Sequence, residues 1–123
     1  MTDRSCRIDE LAHQHQTFQK KISHMPFYAS DMVDVTIIKG TDLVAADFGN
    51  KSSDPYVILT SPHTQHKTEI IKKNLNPEWN ETFTYYLSEA QSELELKFKV
   101  MDWDRFSKDV SLFHMSVENV VWN

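Results

Sequence analysis

Apolar and polar side chains alternate from residue 33 onward with the period of a β-strand. Val33, Val35 and Ile37 are separated by polar residues, and in residues 93–101 four apolar side chains alternate with charged ones. Successive side chains of a strand point to opposite faces, so this pattern predicts strands with one buried face. Further strand-like runs cover residues 56–59, 68–71, 82–87 and 111–117.

Turn-forming residues separate these runs, and they occur at Gly40, Gly49, Asn50, Pro62, Asn76, Pro77, Ser88 and Ser92. Glycine, proline and asparagine favour the backbone angles of tight turns. Several short strands at such intervals are typical of an antiparallel β-sandwich. The pattern therefore predicts an all-β fold.

Residues 1–30 follow a different pattern. Spacings of three and four residues, typical of one helix face, separate Ile8, Leu11, His15, Phe18 and Ile22. Pro26 would end such a helix. We therefore expect residues 1–30 to be a flanking segment, either a short N-terminal helix or a disordered leader, and residues 31–123 to form the domain.

The composition limits the classes of function. The chain has 123 residues, enough for one domain, and its formal net charge of −5 argues against a nucleic-acid-binding protein, which usually has a basic excess. Cys6 is the only cysteine, so an intrachain disulfide is excluded. The sequence has neither the apolar stretch of a signal peptide nor a run near the ~18 apolar residues of a membrane span. We expect a cytoplasmic protein that reaches membranes only peripherally.

Two aspartate loops are the main candidates for function. Asp47 and Asp54 belong to the first aspartate loop (residues 47–54), and Asp102, Asp104 and Asp109 belong to the second (residues 102–109). Each loop follows a strand-like run, so a sandwich can bring both to one edge. Clustered carboxylates repel one another unless a cation neutralises them, and Ca²⁺ prefers oxygen ligands of this kind. Taken singly, each aspartate is better explained as a turn-forming, solvated residue, and only the five together favour calcium binding.

Three segments around these loops carry a family resemblance. They read SDPYV at 53–57, NPEWNETF at 76–83 and DWDRFSKD at 102–109. In this order and at these separations they resemble a C2 domain, the calcium- and phospholipid-binding β-sandwich of synaptotagmins, conventional protein kinase C and cytosolic phospholipases. The resemblance covers about residues 33–117. It implies an antiparallel C2-type β-sandwich.

The resemblance also implies a set of calcium ligands. They are the carboxylates of Asp47, Asp54, Asp102, Asp104 and Asp109 and the backbone carbonyl of Trp103. Asp109 fits only if the second aspartate loop is one residue shorter than the usual pattern. In an ungapped alignment Val110 takes that ligand position. That alignment would favour a calcium-independent C2 domain that binds a protein partner.

Membrane-contact residues are implied beside the ligands. Phe48 and Phe106 match positions that enter lipid in the family, and Arg105 and Lys108 flank Phe106, where they could contact anionic headgroups. These residues imply calcium-dependent binding to anionic phospholipid membranes. The alternative for the phenylalanines is that they are isolated surface aromatics or part of a small satellite core.

Phosphoinositide recognition is a weaker implication. Tyr56 and Lys67 match the family pattern for it, but Glu69 and Met101 replace an expected lysine and tryptophan. Two further lysines, at positions 72 and 73, are interpreted as a solvated strand edge.

The number of predicted strands does not decide whether the sandwich is complete. About six strands can be counted where the family has eight, and little before Val33 resembles a leading strand. The chain could be a fragment, or residues 1–30 or a partner chain could cover the gap. It shows no G-x-S-x-G motif or other nucleophile arrangement. We therefore expect no enzyme, although the chain could be the targeting part of a larger lipid-acting or signalling enzyme.

Overall fold

A computed structural model describes residues 5–13, 16–27, 30–44, 52–88, 93–104, 109–114 and 118–121. These residues contain nine strands and no helix. The strands are β1 (Ser5–His13), β2 (Gln16–Phe27), β3 (Ser30–Thr41), β4 (Pro55–Thr60), β5 (Gln65–Lys67), β6 (Glu78–Ser88), β7 (Glu93–Asp102), β8 (Val110–His114) and β9 (Glu118–Val121). The all-β prediction is confirmed.

The strands form two antiparallel sheets. One sheet has the order β1-β2-β3-β6, and the other has the order β5-β4-β7-β8, with β9 also paired to β7. The alternating apolar residues of β3 and β7 are buried between the sheets, as their sequence pattern predicted. Burial of this apolar surface is the main favourable contribution to folding.

The prediction of a helix over residues 1–30 is wrong. The alternative prediction, a disordered leader, is also wrong for the described residues of this range. Strands β1 and β2 pair with each other, and β2 pairs with β3. Phe18 and Ile22 are buried in the core, and the Phe18 ring lies 6.1 Å from the Phe98 ring between centroids. The spacing from Phe18 to Ile22 is even, so it suits a strand face as well as a helix face. The pairing of β2 with β3 decides between helix and strand in favour of the strand.

The two N-terminal strands add to the strands that were counted from the sequence. Together with β3 and β6 they form a four-stranded sheet, so residues 5–27 supply the leading strands that were not counted from the sequence. The boundary between residues 30 and 31 stays a prediction. Strand pairing nevertheless continues across it, because Phe27 pairs with Ser30 in the β2–β3 register.

Two other strand predictions need correction. Residues 68–71 form no strand, because β5 ends at Lys67. The Thr68 side chain instead accepts a hydrogen bond of 2.8 Å from the Val57 N–H, and its own N–H donates to the Val57 carbonyl. Within residues 111–117, the strand described is β8, which ends at His114.

The register of β4 with β7 decides which loops meet. Pro55 at the start of β4 pairs with Asp102 at the end of β7, and Thr60 at the other end of β4 pairs with Lys97. The first aspartate loop therefore leads into the same end of the sandwich at which the second one begins. The turn between β4 and β5 lies at the opposite end.

Candidate metal centre

Asp54 and Asp102 are two predicted ligands, one from each loop, that the fold brings into direct contact. The Asp54 N–H donates a hydrogen bond of 2.7 Å to Asp102 Oδ1, and the Trp103 N–H donates one of 2.9 Å to the Asp54 carbonyl oxygen. Asp102 is buried, with only 2% of its surface exposed. A buried carboxylate is costly unless it is hydrogen-bonded or bound to a cation. This contact therefore fixes the junction of the two aspartate loops.

A turn at residues 71–74 supports the first aspartate loop from the side. The Lys73 N–H donates a hydrogen bond of 2.7 Å to Asp54 Oδ1, and the Asn74 N–H donates one of 3.0 Å to the Ser53 carbonyl oxygen. Lys73 adopts a left-handed backbone angle, φ 52°, which is uncommon for a non-glycine residue. The turn thus bonds the Asp54 carboxylate through one backbone N–H and the loop backbone at Ser53 through another.

Asp109 is held by donors from both sides. Its Oδ1 accepts a hydrogen bond of 3.0 Å from the Asp104 N–H, and its Oδ2 accepts a short hydrogen bond from the Tyr56 hydroxyl. Burial raises the pKa of Tyr56, and the hydrogen bond to Asp109 and the negative charges of Asp109 and Asp102 raise it further. The phenol therefore stays protonated and donates. Asp109 closes the second aspartate loop against β4.

One lysine ammonium group lies beside the second aspartate loop. The Lys72 ammonium lies 5.1 Å from the centre of the ring of Trp103, which stands between Asp102 and Asp104 in the sequence. Lys72 and Lys73 are exposed, as the interpretation of a solvated strand edge requires, but the strand is wrong because both belong to the turn that contacts the aspartate loops. The spacing of lysines along the sequence does not predict that this turn contacts the aspartate loops.

The first aspartate loop also has a support at its entry. Asp42, which has φ 54°, donates its N–H to Asn76 Oδ1 at 2.9 Å, and the Gly40 N–H donates to the Pro77 carbonyl at 3.0 Å. Trp79 is buried and its indole N–H donates to the Glu69 carbonyl at 3.1 Å. The start of the NPEWNETF segment is thus a turn anchored by a large side chain.

Several predicted residues lie outside the described part of the chain. They are Asp47, Phe48, Arg105, Phe106 and Lys108. Among the described residues, no three His, Cys, Asp or Glu side chains converge into one metal-binding group. The contacts instead join Asp54 to Asp102 and Asp104 to Asp109. The acceptors in these contacts are carboxylate oxygens, which fit a hard cation such as Ca²⁺.

The two residues predicted for phosphoinositide binding lie on neighbouring strands, β4 and β5. The Tyr56 hydroxyl is engaged by Asp109, and the side chain is buried. Lys67 lies exposed on β5, where it pairs with Ile58 of β4. Phosphoinositide binding by these two residues stays a prediction.

The sequence profile of the C2 domain family matches residues 31–119. This chain belongs to the C2-domain family. The predicted resemblance to a C2 domain is thereby confirmed, and so is the C2-type sandwich. C2 domains are non-catalytic modules, and they also occur within enzymes such as a human cytosolic phospholipase A2.

This C2 domain is similar to known proteins in sequence and to solved structures in fold. Protein C2-DOMAIN ABA-RELATED 11 from Arabidopsis thaliana is 42% identical over 86 residues, covering 70% of this chain and 49% of that protein. Human GIVD cytosolic phospholipase A2, solved with an inhibitor and terbium chloride, superimposes with a TM-score of 0.63 at 26% identity, covering 72% of this chain and 13% of that one. A C2 domain of plant extended synaptotagmin 1 gives a TM-score of 0.57 at 28% identity, covering 73% and 67% of the two chains.

The chain spans about half the length, or less, of the curated relatives that it matches. The family is one of membrane-targeting modules. None of the described residues form a helix long and apolar enough to cross a membrane.

Proposed function

We propose that this C2 domain attaches peripherally to anionic phospholipid membranes when its aspartate loops bind calcium. The observation that carries the proposal is the contact between Asp54 and Asp102, which joins residues of both loops at one end of the sandwich. The membrane-targeting role of the family supports the same assignment.

Calcium suits the oxygen atoms at this end of the molecule. The proposed ligands are the carboxylates of Asp47, Asp54, Asp102, Asp104 and Asp109 and the backbone carbonyl of Trp103. Ca²⁺ takes roughly 6–8 oxygen ligands, and carboxylates and carbonyls are the usual ones. The human phospholipase A2 that superimposes on this chain was solved with terbium chloride, which supplies a hard trivalent cation.

Electrostatics would make the attachment dependent on calcium. The chain has a formal net charge of −5, and two Ca²⁺ ions add four positive charges, which gives −1. Without the ions, the carboxylates repel anionic lipid headgroups. With the ions, this repulsion falls and lipid phosphate oxygens can complete the coordination of the metal.

Side chains next to the aspartates would contact the membrane. Phe48 and Phe106 are proposed to enter the lipid, and Arg105 and Lys108 to contact anionic headgroups at about 1 kcal/mol each. Lys72 joins this set, because its ammonium group lies beside Trp103 of the second aspartate loop. A cytoplasmic protein recruited to anionic membranes would use all of these contacts.

Co-sedimentation with phosphatidylserine vesicles tests the proposal. The wild type should sediment with vesicles in calcium and stay in the supernatant in chelator. The double variant Asp102→Asn/Asp104→Asn should stay in the supernatant under both conditions. Glu95→Gln removes one carboxylate near the turn between β4 and β5, at the opposite end, so it should behave as the wild type. Equal sedimentation of the wild type in calcium and in chelator contradicts the switch.

A calcium-independent protein-interaction domain is the second candidate. It is favoured by Asp109, because both of its carboxylate oxygens already accept hydrogen bonds from Asp104 and Tyr56. These hydrogen bonds tie Asp109 to Asp104 and to β4. Isothermal titration with CaCl₂ separates the candidates, since this second function predicts no binding heat that depends on Asp102.

A third candidate is that this C2 domain is the membrane-targeting part of a larger lipid-acting enzyme. The chain matches only 13% of the human cytosolic phospholipase A2 on which it superimposes. In such a protein the C2 domain would bring a separate catalytic domain to the membrane. Catalysis itself is not proposed for these residues.

A further inference from the structure

The N-terminal hairpin, formed by β1 and β2, contacts the chain where it enters the first aspartate loop. Gln16 is the first residue of β2, and its side chain is buried, with 2% of its surface exposed. The Gln16 Oε1 accepts a hydrogen bond of 3.0 Å from the N–H of Val44, which lies shortly before the loop. A backbone N–H can only donate, so the side-chain atom that faces it is the carbonyl oxygen. The hairpin therefore holds the entry of the loop.

A second hydrogen bond closes the base of the loop. The Ser53 hydroxyl donates to the Val44 carbonyl oxygen at 2.7 Å, and Ser53 is fully buried. Both backbone groups of Val44 are thus engaged at the loop base, its N–H by Gln16 and its carbonyl by Ser53. Buried polar side chains are stable when they are hydrogen-bonded. Loss of either side chain would leave one backbone group of Val44 without its partner in the protein.

Ser53 connects the loop base to the proposed calcium ligands. The residue that follows it is Asp54, whose N–H donates a hydrogen bond of 2.7 Å to the Asp102 carboxylate. Hydrogen bonds and one peptide bond therefore link Gln16, on the hairpin, to a proposed ligand from each loop. A chain of contacts of this kind can carry the effect of a substitution from one end to the other.

The anchor of this chain of contacts lies outside the residues that the family profile matches. The C2 match covers residues 31–119, and Gln16 precedes it. Strand β2 nevertheless belongs to the folded unit, because it pairs with β3 from Thr17 to Phe27. Phe18, which lies on the same face of β2 as Gln16, is buried in the core. The hairpin is therefore a firm support for the loop.

We propose that Gln16 and Ser53 are positioning residues of the calcium site, which raise its affinity by holding the base of the first aspartate loop in place before an ion binds. This role rests on calcium binding by the aspartate loops, the function proposed above. A loop that is already ordered loses less conformational entropy when it binds, so hydrogen bonds at its base strengthen binding without touching the ion.

Calorimetric titration of the full chain with CaCl₂ tests this role. Gln16→Met keeps the length of the side chain but removes the acceptor, and Ser53→Ala removes the donor. Each should weaken calcium binding about three- to tenfold, the loss expected for one hydrogen bond. Gln19→Met is the matched control, because Gln19 lies on the other face of β2 and is partly exposed. Its calcium affinity should equal that of the wild type.

Amide hydrogen exchange in chelator gives a second readout that needs no bound calcium. Exchange of the Val44 N–H should be about tenfold faster, or more, in Gln16→Met than in the wild type, and unchanged in Gln19→Met. Urea unfolding in chelator shows that each variant is folded. A purely structural role would lower stability and leave the calcium affinity of the folded protein unchanged.

The unsubstituted chain separates the two ways in which these experiments can fail. If the wild type binds calcium, then wild-type affinity in Gln16→Met or in Ser53→Ala overturns the positioning role alone. Unchanged exchange at Val44 in Gln16→Met overturns it as well. A wild type that takes up no calcium overturns the function proposed above, and the positioning role with it.

Discussion

The Asp54 N–H donates a hydrogen bond of 2.7 Å to the Asp102 carboxylate, and this contact joins two loops through residues that are 48 positions apart in sequence. The Trp103 N–H returns a hydrogen bond of 2.9 Å to the Asp54 carbonyl oxygen. Both contacts are possible because Pro55 and Asp102 are paired in the β4–β7 register. The pairing of β4 with β7 therefore places residues of both loops next to each other.

Two substitutions at Asp102 should separate its roles in calcium binding and in folding. Asp102→Asn keeps an oxygen acceptor for the Asp54 N–H but removes the charge, so calcium affinity should fall about tenfold or more. Stability in chelator should change by less than about 1 kcal/mol. Asp102→Ala removes the acceptor as well and should cost about 1–3 kcal/mol. Urea unfolding in chelator and titration calorimetry measure the two effects. Equal stability of both variants would show that the hydrogen bond does not support the loop junction.

Tyr56→Phe should loosen the second aspartate loop. The change removes the hydroxyl that donates to Asp109, and a hydrogen bond to a charged group contributes about 1.5–3 kcal/mol. Tyr86→Phe is the matched control, because the Tyr86 side chain is largely exposed and should tolerate the change within about 0.5 kcal/mol. Denaturant unfolding compares the two variants. A Tyr56→Phe protein as stable as the control would mean that the hydroxyl does not hold the loop.

Tyr85 should make stability depend on alkaline pH. Burial raises its pKa from 10.0 to about 12 in the folded protein. The folded state holds this proton more tightly than the unfolded state, so the associated stability is present below pH 10 and is lost between pH 10 and 12. Tyr85→Phe lacks this loss. At pH 8 the variant should be about 1 kcal/mol less stable than the wild type, because it lacks the hydrogen bond between Tyr85 and His66. This difference in stability between the two proteins should shrink above pH 10.

Urea midpoints at pH 8, 10 and 11 measure the effect for both proteins. The two proteins differ only at this residue, so the difference between the curves isolates Tyr85. A difference that stays constant over this range would contradict the assignment.

Phe18→Ala tests whether the N-terminal strands belong to the folded unit. Phe18 is fully buried and its ring lies near those of Trp79 and Phe98, so its truncation should cost about 3–5 kcal/mol. Glu10→Ala on β1 changes an exposed side chain and should cost less than about 0.5 kcal/mol. Thermal unfolding gives both values. A Phe18→Ala protein with wild-type stability would mean that β2 contributes little to the core.

Alternation of apolar residues predicted the core strands because the buried face of a sheet imposes a period of two. Val33, Val35 and Ile37 all lie in the core as that pattern requires. The same reasoning failed for the N-terminus, where the spacing from Phe18 to Ile22 satisfies both periods. The choice between helix and strand was made by pairing with β3, which local sequence does not encode.

The site could be predicted only in part. Family motifs marked Asp54 and Asp102, and the fold places them in contact. No motif marked the Lys72–Lys73 turn, because its position depends on hydrogen bonds to a loop that is nearly twenty residues earlier in the chain. The bond from Tyr56 to Asp109 was missed for the same reason, since their proximity follows from strand order and not from spacing.

A calcium titration that reports vesicle contact tests the central claim most directly. Energy transfer from the tryptophans, which include Trp103 of the second aspartate loop, to dansyl-labelled phosphatidylserine vesicles measures attachment as calcium is added. We predict that transfer rises with calcium, reverses in chelator and is absent in Asp102→Asn/Asp104→Asn. Binding of calcium and lipid at one site is reciprocal, so more vesicles should lower the calcium concentration at half-maximal transfer. Transfer that is independent of calcium, or a midpoint that does not move with vesicle concentration, would contradict calcium-gated attachment at these loops.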